Sequence, residues 1–79
     1  MRDSCRHMTE DIRKILYRDV KTLSKDQLDY VMAAVRELKL KSGGPLYRKS
    51  FSVRLKELRH EYQLTEPEAD AILEALFSE

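Results

Sequence analysis

Tryptophan is missing from this chain, and cysteine, histidine, glycine and proline are scarce: its 79 residues include one cysteine, two histidines, two glycines and two prolines. Each shortage excludes something. A single cysteine, Cys5, closes no internal disulfide, so the fold must be held by packing. With two glycines, both at Gly43-Gly44, there is no glycine-rich phosphate loop, and Cys5, His7 and His60 lack the paired spacing of a zinc site. The carboxylates fall mostly opposite the apolar stripes described below, where solvated surface is expected rather than a general acid and base. We therefore expect a non-enzymatic chain with no catalytic residue, cofactor, metal or small-molecule ligand. No apolar run approaches the roughly 18 residues needed to span a bilayer, and the opening Met1-Arg-Asp-Ser-Cys-Arg-His7 has no apolar stretch of signal-peptide type. The expected location is the cytoplasm.

The most informative absence is of one charge sign. From Glu61 to Glu79 there are six acids and no Lys or Arg, a net of −6, whereas Arg36 to His60 carries eight Lys/Arg against two acids, a net of +6. Met1 to Val35 contributes +1, so the formal total of +1 is a cancellation. Such asymmetry concerns partners and pairing rather than fold. The total also lacks the strongly basic balance usual for nucleic-acid-binding domains.

Four amphipathic segments predict an all-α domain, a small four-helix bundle, over residues 9–79. Ile12, Ile15, Leu16, Val20 and Leu23 share one helical face, with Thr9 placed to cap a helix from Glu10 to Lys21. Ser24-Lys-Asp-Gln27 is a capping box flanked by Leu23 and Leu28, and Leu28, Val31, Met32, Val35 and Leu38 form the stripe of a helix from Lys25 to Lys41 that Ser42-Gly-Gly-Pro45 ends. Phe51, Val53 and Leu55 alternate as in a strand, but Phe51, Leu55, Leu58 and Tyr62 fit a helix from Arg48 to Tyr62, which the longer pattern favours. Thr65-Glu-Pro-Glu68 is a second capping box, opening a helix from Glu66 to Ser78 with Ala69, Ile72, Leu73 and Leu76 on its stripe. Residues 1–8 show no periodicity and are expected to be a disordered tail. The His7-Met8 dipeptide, which a common cloning site encodes, fits a vector origin for them as well as a native frayed end.

Two surfaces stand out as candidate sites. Tyr30, Leu40, Val53 and Phe77 project outside or at the edge of their helices' stripes, which makes them candidate partner-binding residues on a module that recognises protein through its helix faces. So small a core also favours self-association, here as a homodimer. Alternatively, Lys49, Ser52, Lys56, Arg59 and Gln63 share an exposed strip, with Tyr47 and Arg48 just upstream, and such a strip can bind nucleic-acid phosphates. Asp19 falls within the first helix's apolar arc and is either an ion-pair anchor for another helix or a rim residue where that helix frays.

Arg54-Leu-Lys-Glu-Leu-Arg59 followed by Leu64-Thr-Glu-Pro-Glu-Ala69 resembles the opening of the phage-repressor type of helix-turn-helix domain over about sixteen residues. That resemblance implies DNA binding. The chain departs from the pattern where function would lie, because its last helix carries Glu66, Glu68, Asp70 and Glu74, which phosphates repel.

Overall fold

Both capping boxes form as read, and they anchor the two helices whose boundaries match expectation best. The computed structural model describes residues 2–61 and 63–78. Its elements in chain order are β1 (Ser4–Cys5), α1 (Thr9–Asp19), α2 (Lys25–Ser42), β2 (Leu46–Tyr47), α3 (Arg48–His60) and α4 (Glu66–Phe77). Ser24 Oγ accepts from the Gln27 N–H at 3.1 Å while the Gln27 side chain accepts from the Ser24 N–H at 2.8 Å. At α4 the Glu68 N–H donates to Thr65 Oγ1 at 3.4 Å, and the Thr65 N–H and Oγ1–H both donate to Glu68 Oε1. The two boxes are also joined to each other: Gln27 Nε2 donates to Glu68 Oε1 and to the Gln63 carbonyl, both at 3.1 Å. One amide thus ties the start of α2 to the start of α4 and helps to satisfy the buried Glu68 carboxylate.

The far end of α2 stops on glycine for a physical reason. Gly43 sits at φ 83°, the left-handed conformation that a Cβ disfavours, and its N–H returns to the Lys39 carbonyl. The chain then turns through Pro45 into β2 and directly into α3. As the helical pattern predicts, Phe51 and Leu55 lie on a helix.

Each helix packs on two neighbours, α1 on α2, α2 on α3, α3 on α4 and α4 on α1, so the four close a ring around one core. Ile12 and Leu16, Val31 and Val35, Phe51 and Leu55, and Ile72 and Leu76 supply the buried pairs from successive helices. Of the described helices, none is long and apolar enough to cross a membrane.

Phe77 corrects one expectation. Projected on α4 alone it falls off the main stripe, yet it is fully buried, with its ring 6.3 Å from that of Phe51. Because α4 is flanked by both α1 and α3, it buries a wider arc than a single stripe, and Phe77 is core rather than partner-binding surface.

The amino-terminal segment corrects another. Where a disordered tail was expected, Ser4–Cys5 pairs antiparallel with Leu46–Tyr47, in the register Ser4 to Tyr47 and Cys5 to Leu46. The Arg48 N–H donates to the Asp3 carbonyl at 2.8 Å, the Arg2 N–H to the Phe77 carbonyl at 2.6 Å, and the Lys39 ammonium to the His7 carbonyl. Residues 2–7 are a strap across the ends of α2, α3 and α4, and its Cys5 is buried. Two-residue strands lack the length for a readable alternation, which is why neither β1 nor β2 was legible.

Smaller differences follow from local geometry. Thr9 lies inside α1, whose cap residue is Met8, with no side-chain cap bond. The helix ends at Asp19, two residues early, because Val20 leaves the helical region to bury its side chain. Tyr62, placed on the stripe and at the end of the third helix, lies outside the described residues; α3 ends at His60.

Candidate functional site

The groove between the last turn of α1 and the first turn of α2 combines apolar surface with one sign of charge. Its floor is the half-buried Leu23 with the edges of the buried Val20 and Leu28, Tyr17 stands as a wall, and its volume beside α2 is about 430 Å³. Tyr17 is 77% exposed, a large aromatic on the outer face of α1. Around this floor stand Arg13, Lys14, Arg18, Lys21 and Lys25, and among the described residues no acid lines the groove. Local geometry places them. The α1 helix ends at Asp19 and the capping box restarts the chain at Ser24, so a short loop holds Val20 and Leu23 between two helix ends.

Two of these five cations are already paired with carboxylates outside the groove. Arg13 Nη2 is 3.1 Å from Asp29 Oδ1 on α2, a bond that ties the two walls together. Arg18 Nε is 2.8 Å from Asp19 Oδ1, and this hydrogen bond holds the Asp19 carboxyl below the usual carboxylate range. Asp19 is therefore a rim residue paired with its sequence neighbour rather than an anchor for another helix. Lys14, Lys21 and Lys25 are exposed and make no ion pair among the described residues, so the groove's available positive charge is theirs.

The basic strip on α3 has a different character. Lys49 and Lys56 are exposed and without an ion pair among the described residues, and Ser52 and Arg59 are half-buried. Arg59 Nη2 lies 3.5 Å from Glu66 Oε2 at the start of α4. Arg48 is half-buried, with its Nε enclosed and without a hydrogen-bond partner among the described residues. Two concavities flank the strip. One of about 670 Å³ is lined by Tyr47, Arg48, Lys49, Ser52 and Val53 together with Asp3, and the other, of about 510 Å³, by Lys56, Arg59 and His60 together with Glu66. Each brings a carboxylate to the cations. Gln63, expected on the strip, lies past the end of α3 at His60, so the helical projection does not reach it; its backbone carbonyl accepts from Gln27.

The expected partner-binding residues do not converge. Tyr30 is 47% and Leu40 85% exposed, but ten residues separate them on α2, about 15 Å at 1.5 Å per residue. Val53, 55% exposed, faces out from α3 beside Tyr47, and Phe77 is in the core. On the outer flank of α2, Glu37 pairs with Lys41 at 3.3 Å and Arg54 at 2.9 Å, fastening α2 to α3. Both cations hold the Glu37 carboxyl below its ordinary value, the Lys41 hydrogen bond contributing most.

The α1–α2 groove was missed for a specific reason. Its cations are interleaved with Asp11, Asp19, Asp26 and Asp29, so the segment reads as nearly neutral. A projection of α1 does place Tyr17 and Lys14 opposite the stripe, which was the usable signal; the contribution of Leu23 and Lys25 exists only once the two helices meet. Among the described residues, no cluster of three or more His, Cys, Asp or Glu is arranged to hold a metal ion. The chain matches no protein-family model, no curated protein and no solved structure.

Proposed function

We propose that this chain is a non-enzymatic interaction module that docks another protein on the groove between α1 and α2. The observation that carries the reading is the exposed Tyr17 ring beside the half-buried Leu23, joined to a rim of cations with no acid among the described residues. An apolar recess supplies affinity through burial, and a ring of one sign orients the approaching partner and speeds its encounter. Nucleic-acid binding through α3 is less well supported, since Asp3 and Glu66 line the same concavities as the cations.

A photo-crosslinking amino acid at position 17, compared with one at position 56, tests the reading in native extract, with adducts identified by mass spectrometry and rebuilt from purified components. The expected outcome is a defined protein adduct at position 17. A nucleic-acid adduct at position 56, with none at position 17, replaces this reading with the alternative. Self-association belongs to the same proposal, and light scattering across a concentration series decides whether a second copy occupies the surface.

A further inference from the structure

We infer that the groove takes an acidic amphipathic helix of another protein, seated by one aliphatic or aromatic side chain against Tyr17 and Leu23. This rests on the docking reading above and names its partner class. Charge complementarity carries the first half: the lining holds five cations and no carboxylate, and Lys14, Lys21 and Lys25 have no ion pair among the described residues. The occupant must bring the negative charge.

The walls decide its conformation. Both are helices that present side chains, not a sheet edge with free backbone groups, so a docked backbone must satisfy its own hydrogen bonds, as an α-helix does. An anchor follows from the apolar surface left open, the exposed Tyr17 ring and the half-buried Leu23 above the buried Leu28.

This requirement argues against a second copy of the chain. The acidic helix α4 has exposed Glu66, Asp70 and Glu74, the right charge for the groove, but its Ala69, Ile72, Leu76 and Phe77 are all buried in its own core. The α4 of a neighbouring copy thus offers the charge without the anchor, and the exposed Leu40 and Val53 lie on other helices, away from that charge. Nucleic acid offers charge and stacking, yet a single exposed tyrosine over aliphatic side chains provides little of the aromatic platform on which successive bases stack.

The probe is a synthetic helical peptide of about 12 residues, three turns, rich in Glu with one Leu, titrated by fluorescence anisotropy and by amide chemical shifts. Binding is expected to perturb Tyr17, Leu23 and Lys25, and replacing the peptide's Leu by Ala is expected to weaken it about tenfold. Tyr17→Ser and the combined Lys14→Glu, Lys21→Glu, Lys25→Glu variant change exposed residues only, so circular dichroism should stay native. The triple variant is expected to lose the acidic peptide by at least about tenfold and to accept its Lys-for-Glu counterpart. The inference is overturned by equal affinity for the Leu and Ala peptides, by shifts confined to α3, or by tighter binding of an oligothymidine of matched charge. If the position-17 crosslink yields a protein adduct while the acidic peptide fails to bind, the partner class falls and the docking reading stands. A concentration-dependent dimer buried at Tyr17 overturns the foreign-partner assignment.

Discussion

The two cationic surfaces of this protein were built in opposite ways. Residues Arg36 to His60 carry a net +6 in sequence, yet folding brings Asp3 from the amino-terminal strap and Glu66 from α4 into the concavities along α3. Residues Met1 to Val35 carry only +1, yet folding turns Asp19 and Asp29 into pairs outside the α1–α2 groove and leaves its lining free of acids. The sign of a surface is therefore set by which residues share a side of the fold, and segment charge is a poor guide to it.

The largest expected effect attacks the α3 side from beneath. Phe77→Ala removes the ring packed near Phe51 and should cost about 3–5 kcal/mol in urea unfolding. If Phe77 were instead a docking residue, stability would hold and only binding would fall. Deleting residues 2–7 removes the strap hydrogen bonds and the buried Cys5, with an expected loss of about 2–4 kcal/mol on the same measurement. An unchanged midpoint would restore the reading of these residues as a passive tail.

Glu68→Ala breaks the α4 capping box and leaves Gln27 without one of its acceptors, for an expected cost of about 1–3 kcal/mol. A double-mutant cycle with Gln27→Ala should give a coupling of at least about 0.5 kcal/mol, because the two residues share a hydrogen bond. Strict additivity would show that the two boxes act separately.

The combined Asp3→Asn, Glu66→Gln variant sharpens the contrast between the two surfaces directly. If those carboxylates are what mask α3, affinity of α3 for a heparin column or oligonucleotide should rise about threefold per charge removed at low salt. No change would mean that the α3 face does not differ from the groove in the way its lining implies.

The smallest effect is electrostatic. The folded state holds the Glu37 carboxyl below its unfolded value through Lys41 and Arg54, so the ionised form is favoured on folding. The resulting stability is present above the unfolded carboxylate range and is lost as pH falls through the folded value. Thermal melts from neutral to acidic pH should show a slightly shallower decline for Glu37→Gln than for the parent chain.

Legibility followed the range of the interactions. Local signals were decisive where a few neighbouring residues complete the chemistry: Ser24 with Gln27, Thr65 with Glu68, and the glycine that ends α2 all sit within four residues of their partners. The α3 helix was readable because Phe51, Leu55 and Leu58 repeat at helical spacing over more residues than the competing alternation. Phe77, the strap and the groove were not readable in this way. Phe77 and the strap depend on residues far apart in the chain, Phe77 on Phe51 and Cys5 on Leu46, while Leu23 and Lys25 meet Tyr17 across a change of helix direction that no single helical projection spans.

Helix number, type and order were thus determined by the sequence alone, since capping and 3.6-residue periodicity are properties of short segments. Which apolar residues became core, and which charges met or escaped their opposites, was decided only by the tertiary structure. Burial arcs widen where a helix has two neighbours, and charges pair by distance in space, which no linear count of residues records.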